Sequence, residues 1–160
     1  MSIVLFRVDE RLIHGQVTVG WGSRLKAGRY VVVDDDLADS EWERELFRLG
    51  TPEEAKAEFL SVRAARDRLS QWRTLREPVI LLTRNLDHMA RLAEGGALEG
   101  ETVNLGGIHH RPGREQVLPY IFLDDDDRRL IRSLEREGAS ITAQDLPESP
   151  RTSGGRLLDA

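Results

Sequence analysis

Apolar residues come in short dense runs along this chain, set apart by longer stretches where apolar and charged residues alternate at helical spacing. The runs at 3–8 ("IVLFRV"), 29–34 ("RYVVVD"), 77–83 ("EPVILLT"), 101–105 ("ETVNL"), 119–123 ("PYIFL") and 139–143 ("ASITA") each read as a strand, and 58–62 ("EFLSV") as a weaker one. Near-continuous Val, Ile and Leu runs suit strands covered on both faces. Helix signals fill the gaps. Ser40 with Glu43 makes a capping box that Gly50 closes, and Thr51-Pro52 before Glu53 and Glu54 reads as a second helix start. "VRAARDRLSQW" (62–72) has a helical period. "LDHMARLAEGG" starts near Asp87 and stops at Gly95-Gly96. "DDDDRRLIRSLEREG" puts acids at a helix N-terminus and stops at Gly138.

Strand–helix alternation implies parallel pairing through crossover helices. The expected fold is α/β: a single doubly wound, mainly parallel β-sheet flanked by helices on both faces. It takes residues 1–146, and the polar, glycine-rich stretch 147–160 reads as a flexible tail.

Composition narrows the setting. A length of 160 residues fits one domain with a sizeable core. No run approaches the roughly 18 apolar residues of a membrane span, and "MSIVLFRVDERL" enters a strand directly, unlike a signal peptide. Zero cysteines exclude a disulfide framework and thiolate chemistry, in keeping with the cytoplasm. A net charge of -5 argues against nucleic acid as the main partner. The basic residues are almost all arginine, the side chain suited to gripping phosphate or carboxylate.

In open α/β sheets, ligands gather beyond the C-terminal strand ends. Three segments fall there. "RVDERLIHGQV" (7–17) follows the first strand and carries Arg7, Asp9, Arg11, His14, Gly15 and Gln16. Gly15 lets a group on His14 approach the backbone, and a helix starting near Gln16 would turn free N–H groups to the same point. Residues 18–22 ("TVGWG") are poor helix formers, so that helix must rest on packing. The second segment supplies Thr83, Arg84 and Asn85. The third supplies Gly106 and Gly107, read as a tight turn, with His109 and Arg111 beyond. A neutral imidazole is a nucleophile and a phosphoryl group an anion, so a transient phosphohistidine on His14 would satisfy every feature of the first segment. The expected phosphate-binding set is Arg7, Gly15, Gln16, Thr83, Gly106 and Gly107. Such a site needs no metal or other cofactor.

Other polar clusters carry less. Adjacent His109 and His110 diverge, with no carboxylate or cysteine at ligand spacing. Asp34 to Asp36 form either a helix-starting loop or a weak magnesium site, and Asp124 to Asp127 a charged helix start. His88 reads as a surface residue of its helix.

The segment "RVDERLIHGQV" resembles the phosphorylation site of the IIB component of the mannose/fructose/sorbose class of sugar phosphotransferase systems, in which Arg-Ile/Val-Asp-Asp-Arg-Leu-Ile-His-Gly-Gln-Val is the typical reading. Glu10 replaces the second acid. The resemblance continues through "VVVDDDLA", "VNLGGIHHRPGR" and "YIFLDDDD", to about residue 146. It implies a phosphocarrier enzyme, a phosphohistidine–sugar phosphotransferase. His14 would take a phosphoryl group from the IIA component and pass it to a sugar held by the membrane-embedded IIC and IID components. Arg11 would stabilise phosphoryl charge, unless it only pairs with Asp9 or Glu10, and Asp9 would hold the arginine or the imidazole. The implied location is cytoplasmic, at the inner face of the membrane through the permease components. The residues leave a homo-oligomer open. Two other readings compete: a regulatory phosphoprotein using the same His14 without transport, and a hydrolase with His14 as general base, which lacks a nucleophile or metal triad.

Overall fold

The computed structural model describes residues 2–159. The first strand, β1 (Ile3–Asp9), leads into a π-helix (Gln16–Gly22) that continues as α1 (Ser23–Leu25). Then come β2 (Arg29–Val33), α2 (Asp35–Ala38), α3 (Glu41–Leu49), β3 (Lys56–Leu60), α4 (Val62–Trp72), β4 (Val79–Thr83), α5 (Leu86–Ala93) with a 3-10 turn at Glu94–Gly96, and β5 (Thr102–Gly107). The hairpin β6 (Glu115–Leu118) and β7 (Ile121–Leu123), α6 (Asp125–Arg136), β8 (Ser140–Ala143), β9 (Thr152–Ser153) and α7 (Gly154–Asp159) complete the order.

The central sheet runs β3-β2-β4-β1-β5-β8-β9, parallel throughout except for the last pairing. This is the expected doubly wound arrangement. Alternation on the strands explains the unbroken apolar runs. Val31, Val33, Val79 and Leu81 face one core with α4, α5, α6 and α7, while Tyr30, Val32, Ile80 and Leu82 face another with Val17, Trp21 and Leu37. On β1, Phe6 and Val8 join the first core. Arg7 and Asp9 point to the opposite side, toward the π-helix.

Some local expectations are corrected. Residues 51–54 form a turn closed by Ala55 N–H donating to the Pro52 carbonyl, not a helix start, because β3 must begin at Lys56 to pair with β2. Ser40 precedes α3 without a side-chain cap bond. The run 119–123 lies outside the central sheet, in the β6–β7 hairpin, linked to the end of β5 by a bridge between Ile108 and Ile121. Asn85 and Asp124 cap α5 and α6, the latter through a complete capping box with Asp127. His88 is buried rather than superficial, 3.7 Å from the Asp35 carboxylate. The end of the chain packs: β9 pairs with β8, and Leu157 of α7 is fully buried in the main core.

Candidate functional site

At the C-terminal end of β1 the chain turns sharply. Leu12 N–H donates to the Asp9 carbonyl at 3.0 Å, and Leu12 takes a left-handed φ of 57° while its side chain fills the second core. A non-glycine residue held there costs about 1 kcal/mol, repaid by its burial. The reversal brings the His14 ring back over Asp9. The π-helix then begins, with Val17 and Thr18 both donating to the His14 carbonyl. Its first amides, which no intrahelical carbonyl can reach, belong to Gly15 and Gln16. The glycines of "TVGWG" serve contact: a Cβ at Gly22 would lie 2.0 Å from the Tyr30 hydroxyl, and one at Gly20 2.8 Å from Leu146. Widened π turns recur at functional sites.

Asp9 is the hub. It is fully buried and its two oxygens collect most of the local donors. Oδ1 accepts from the Arg11 backbone N–H at 3.0 Å and from Arg11 Nε at 3.1 Å. Oδ2 accepts from Arg11 Nη2 at 3.1 Å, from Arg7 Nη2 at 3.1 Å and from Arg7 Nε at 3.3 Å. His14 Nε2 lies 3.1 Å from Oδ2. Burial by itself pushes the Asp9 carboxyl up; the hydrogen bonds from His14 and Arg11 and the charge of Arg7 outweigh it and hold the group well below the usual carboxylate range. Asp9 is therefore an anion that can only accept, so in the contact His14 Nε2 is the donor; in the neutral ring the lone pair is then on Nδ1.

Arg7 lies beneath the hub, also fully buried. Burial lowers its pKa, against the opposing pull of Asp9. Its donors are spent on protein acceptors: Asp9, Asn104 Oδ1 at 2.6 Å, Gln16 Oε1 at 3.3 Å, and the carbonyls of Gln144 and Asp145 at 3.0 and 3.1 Å. Trp21 stacks against it at 5.4 Å and donates its own N–H to the Asp145 carbonyl. Arg11 stands above, 38% exposed, and its Nη2 also reaches Gln16 Oε1 at 2.8 Å. Among the described residues its Nη1 makes no hydrogen bond. His14 keeps 19% of its side chain open, and Gly15 beside it has open space where a Cβ would stand.

The structure thus gathers Asp9, Arg11, His14, Gly15 and Gln16 at one point and assigns the other candidates elsewhere. Arg7 cannot touch a ligand from its buried position. Thr83 is fully buried and donates to the Asn85 carbonyl at 2.8 Å. Gly106 and Gly107 belong to β5 rather than to a turn. A Cβ at Gly106 would meet the Arg7 guanidinium at 1.9 Å, and one at Gly107 would lie 2.9 Å from Asp9 Oδ1. Their smallness makes room for the hub. Asn104, Trp21 and the Gln144–Asp145 carbonyls were not among the candidates. Asn104 alone had a sequence signal, a lone amide between Val103 and Leu105. It faces Arg7 in the β1–β5 register.

Residues 3–159 match the family described as the PTS system sorbose subfamily IIB component. The sorbose-specific EIIB component of Klebsiella pneumoniae is 31% identical over 150 residues, covering 94% of this chain and 91% of that protein. The mannose-specific EIIAB component of Escherichia coli is 30% identical over 151 residues, 94% of this chain but 46% of that longer protein. Among solved structures, the IIBSor domain of the sorbose permease from Klebsiella pneumoniae superposes with a TM-score of 0.88 at 29% identity, over 100% of this chain and 98% of that one. The N-acetylgalactosamine-specific IIB component 1 from Escherichia coli gives 0.86 at 27% identity, over 94% and 98%. The family match and the shared fold define a phosphotransferase-system protein. The chain belongs to the sorbose subfamily of IIB components.

Proposed function

We propose that this chain is the phosphocarrier of a sugar uptake system and that His14 is the group that carries. The carrying observation is the Asp9–His14 contact: an ionised, buried carboxylate fixes the Nε2 proton and leaves Nδ1 as the nucleophile. The Nδ1–P bond forms as the donor's N–P bond breaks, and the donor imidazole leaves with the electron pair. The phosphorylated His14 ring is then a cation, paired with Asp9. In the second step a sugar hydroxyl oxygen bonds to phosphorus, its proton goes to a base on the acceptor side, and Nδ1 regains its lone pair.

Phosphoryl transfer has a loose transition state with charge on the equatorial oxygens, so positioning and neutralisation suffice. The free Nη1 of Arg11 and the amides at Gly15 and Gln16 would supply them. Asp9, Gln16 and, from below, Arg7 hold Arg11 and His14 in place. The donor is a phosphorylated IIA component. Its joining to IIB in the name of the mannose-specific EIIAB relative supports this. The acceptor is a sugar on the membrane IIC and IID components, and the chain works at the cytoplasmic face of the membrane. No described helix is long and apolar enough to cross a membrane.

The test incubates the full chain with a phosphorylated IIA domain and follows intact mass. Wild type should gain one acid-labile phosphate, and His14→Ala, with its fold intact by circular dichroism, none. Phosphate on the His14→Ala chain would remove His14 from the role. Arg11→Ala should be phosphorylated about 100-fold more slowly; an unchanged rate would reduce Arg11 to a structural ion pair.

A further inference from the structure

Glu10 sits between the hub carboxylate Asp9 and Arg11, yet its carboxylate turns away from the hub. Oε1 accepts from Arg114 Nη1 at 3.0 Å, and Oε2 lies 3.0 Å from His109 Nδ1. Arg114 is an anchor, its side chain only 4% exposed. It donates from Nε to Asp127 Oδ2 at 2.9 Å and from Nη1 to the His109 carbonyl at 2.9 Å. Asp127 in turn accepts from the Asp124 N–H at 3.0 Å and so completes the cap of α6. A continuous line of charge-assisted hydrogen bonds therefore joins the active turn to the N-terminus of α6.

The same turn is tied to the same wall a second time. Glu10 N–H donates to the Gly107 carbonyl at 3.0 Å. Gly107 is the residue against which Asp9 and Arg11 rest, with Asp9 Oδ1 and Arg11 Nη2 placed 2.9 and 3.3 Å from where its Cβ would be. Successive acids of one turn thus do parallel work: Asp9 orients His14, and Glu10 orients His109 and locks the wall behind Arg11. Glu10 and Arg114 also border a cleft of about 520 Å³ that Arg84, His109 and Arg111 line. Glu10 stands where the resembled motif has aspartate, one carbon shorter.

We propose that Glu10, anchored by Arg114, is a positioning residue for phosphoryl transfer to His14. This rests on the reading of His14 as acceptor. It does not touch the phosphoryl group. It fixes the turn, so that Arg11 and His14 meet the incoming phosphorus in one geometry, and small displacements at such a centre are costly in rate.

The test uses the full chain with phosphoramidate, a small donor that needs no docking surface; the Nδ1–P bond forms as the donor P–N bond breaks and ammonia leaves. Glu10→Ala should phosphorylate about tenfold more slowly than wild type. Glu10→Gln should stay within about twofold, since an amide can accept from Arg114 and donate to His109. Arg114→Met should match Glu10→Ala, and the double variant should be no slower than either. The ¹⁵N signals of the His14 ring should move in Glu10→Ala and return in Glu10→Gln. If Glu10→Ala lowers the urea midpoint while His14 is phosphorylated at the wild-type rate with unmoved ring signals, Glu10 merely pins a loop and the proposal falls. The Glu10 pair decides the matter even if Arg114→Met does not fold. A wild-type chain that takes no phosphate from either phosphoramidate or phosphorylated IIA would instead sink the acceptor reading, and this one with it.

Discussion

Asp9 concentrates the electrostatics of the site in one side chain. Removing its charge leaves Arg7 buried without its main counter-ion, and breaking a buried pair costs about 3–5 kcal/mol. Asp9→Asn should therefore lower stability by about that amount at neutral pH. The pH dependence has a definite sign. The folded carboxyl titrates below its unfolded value of about 3.9, so its contribution is fully present above about pH 5 and is lost as pH falls toward the folded value. The gap in urea stability between wild type and Asp9→Asn should be fully open at about pH 5 and narrow below about pH 4. A gap that widens in acid would show that the hub carboxylate is not an anion in the fold. At this scale the sequence was informative about identity and less so about role. His14, Arg11 and Asp9 were legible from one segment. Arg7 stands out in that segment too, but reads as a ligand contact, because nothing in a linear sequence distinguishes an arginine at a surface from one sealed under Gly106. Its partners at Gln144 and Asp145 offer backbone carbonyls, which leave no trace in residue type.

The π-helix is the element that turns these residues into a site. Its residues 18–22 are poor helix formers, and the reason is contact: Gly22 lies under the Tyr30 hydroxyl and Gly20 under Leu146. Gly22→Ala gains helix propensity of about 1 kcal/mol yet should still destabilise by about 1–3 kcal/mol, because the methyl meets an oxygen in a packed core. Adding Tyr30→Phe removes that oxygen and should recover most of the loss in urea unfolding. No recovery would place the cost in the helix itself. Elsewhere the strands were legible because both faces of the sheet are covered, which writes them as Val and Ile runs. The hairpin β6–β7 was not, since a short apolar run reads alike whichever sheet it joins. The proline and acids at 52–54 mimic a helix start; what overrides them is the parallel pairing of Lys56 to Leu60 with β2.

Taken whole, the molecule is a sheet whose strands carry the Asp9 hub at their C-terminal ends and whose terminal segment closes the core. Composition marks residues 147–160 as a loose tail, yet β9 extends the sheet beside β8, Leu157 is buried in the main core, and Gln144 donates to the carbonyls of Pro147 and Ser149. Gln144 and Asp145 are the residues whose carbonyls grip Arg7 under Asp9, so the terminal segment is mechanically continuous with the hub. Leu157→Ala should cost about 2–4 kcal/mol through the cavity it leaves, while His14 is still phosphorylated below the unfolding transition, since the contacts to Arg7 persist. A chain ending at Ser149 should lose more, because it uncovers the edge of β8 as well as the core, and its His14 ring signals should shift as the Arg7 cradle relaxes. Equal urea midpoints for the shortened and full chains would mean that residues 1–149 fold independently and that the packing of α7 adds nothing to stability.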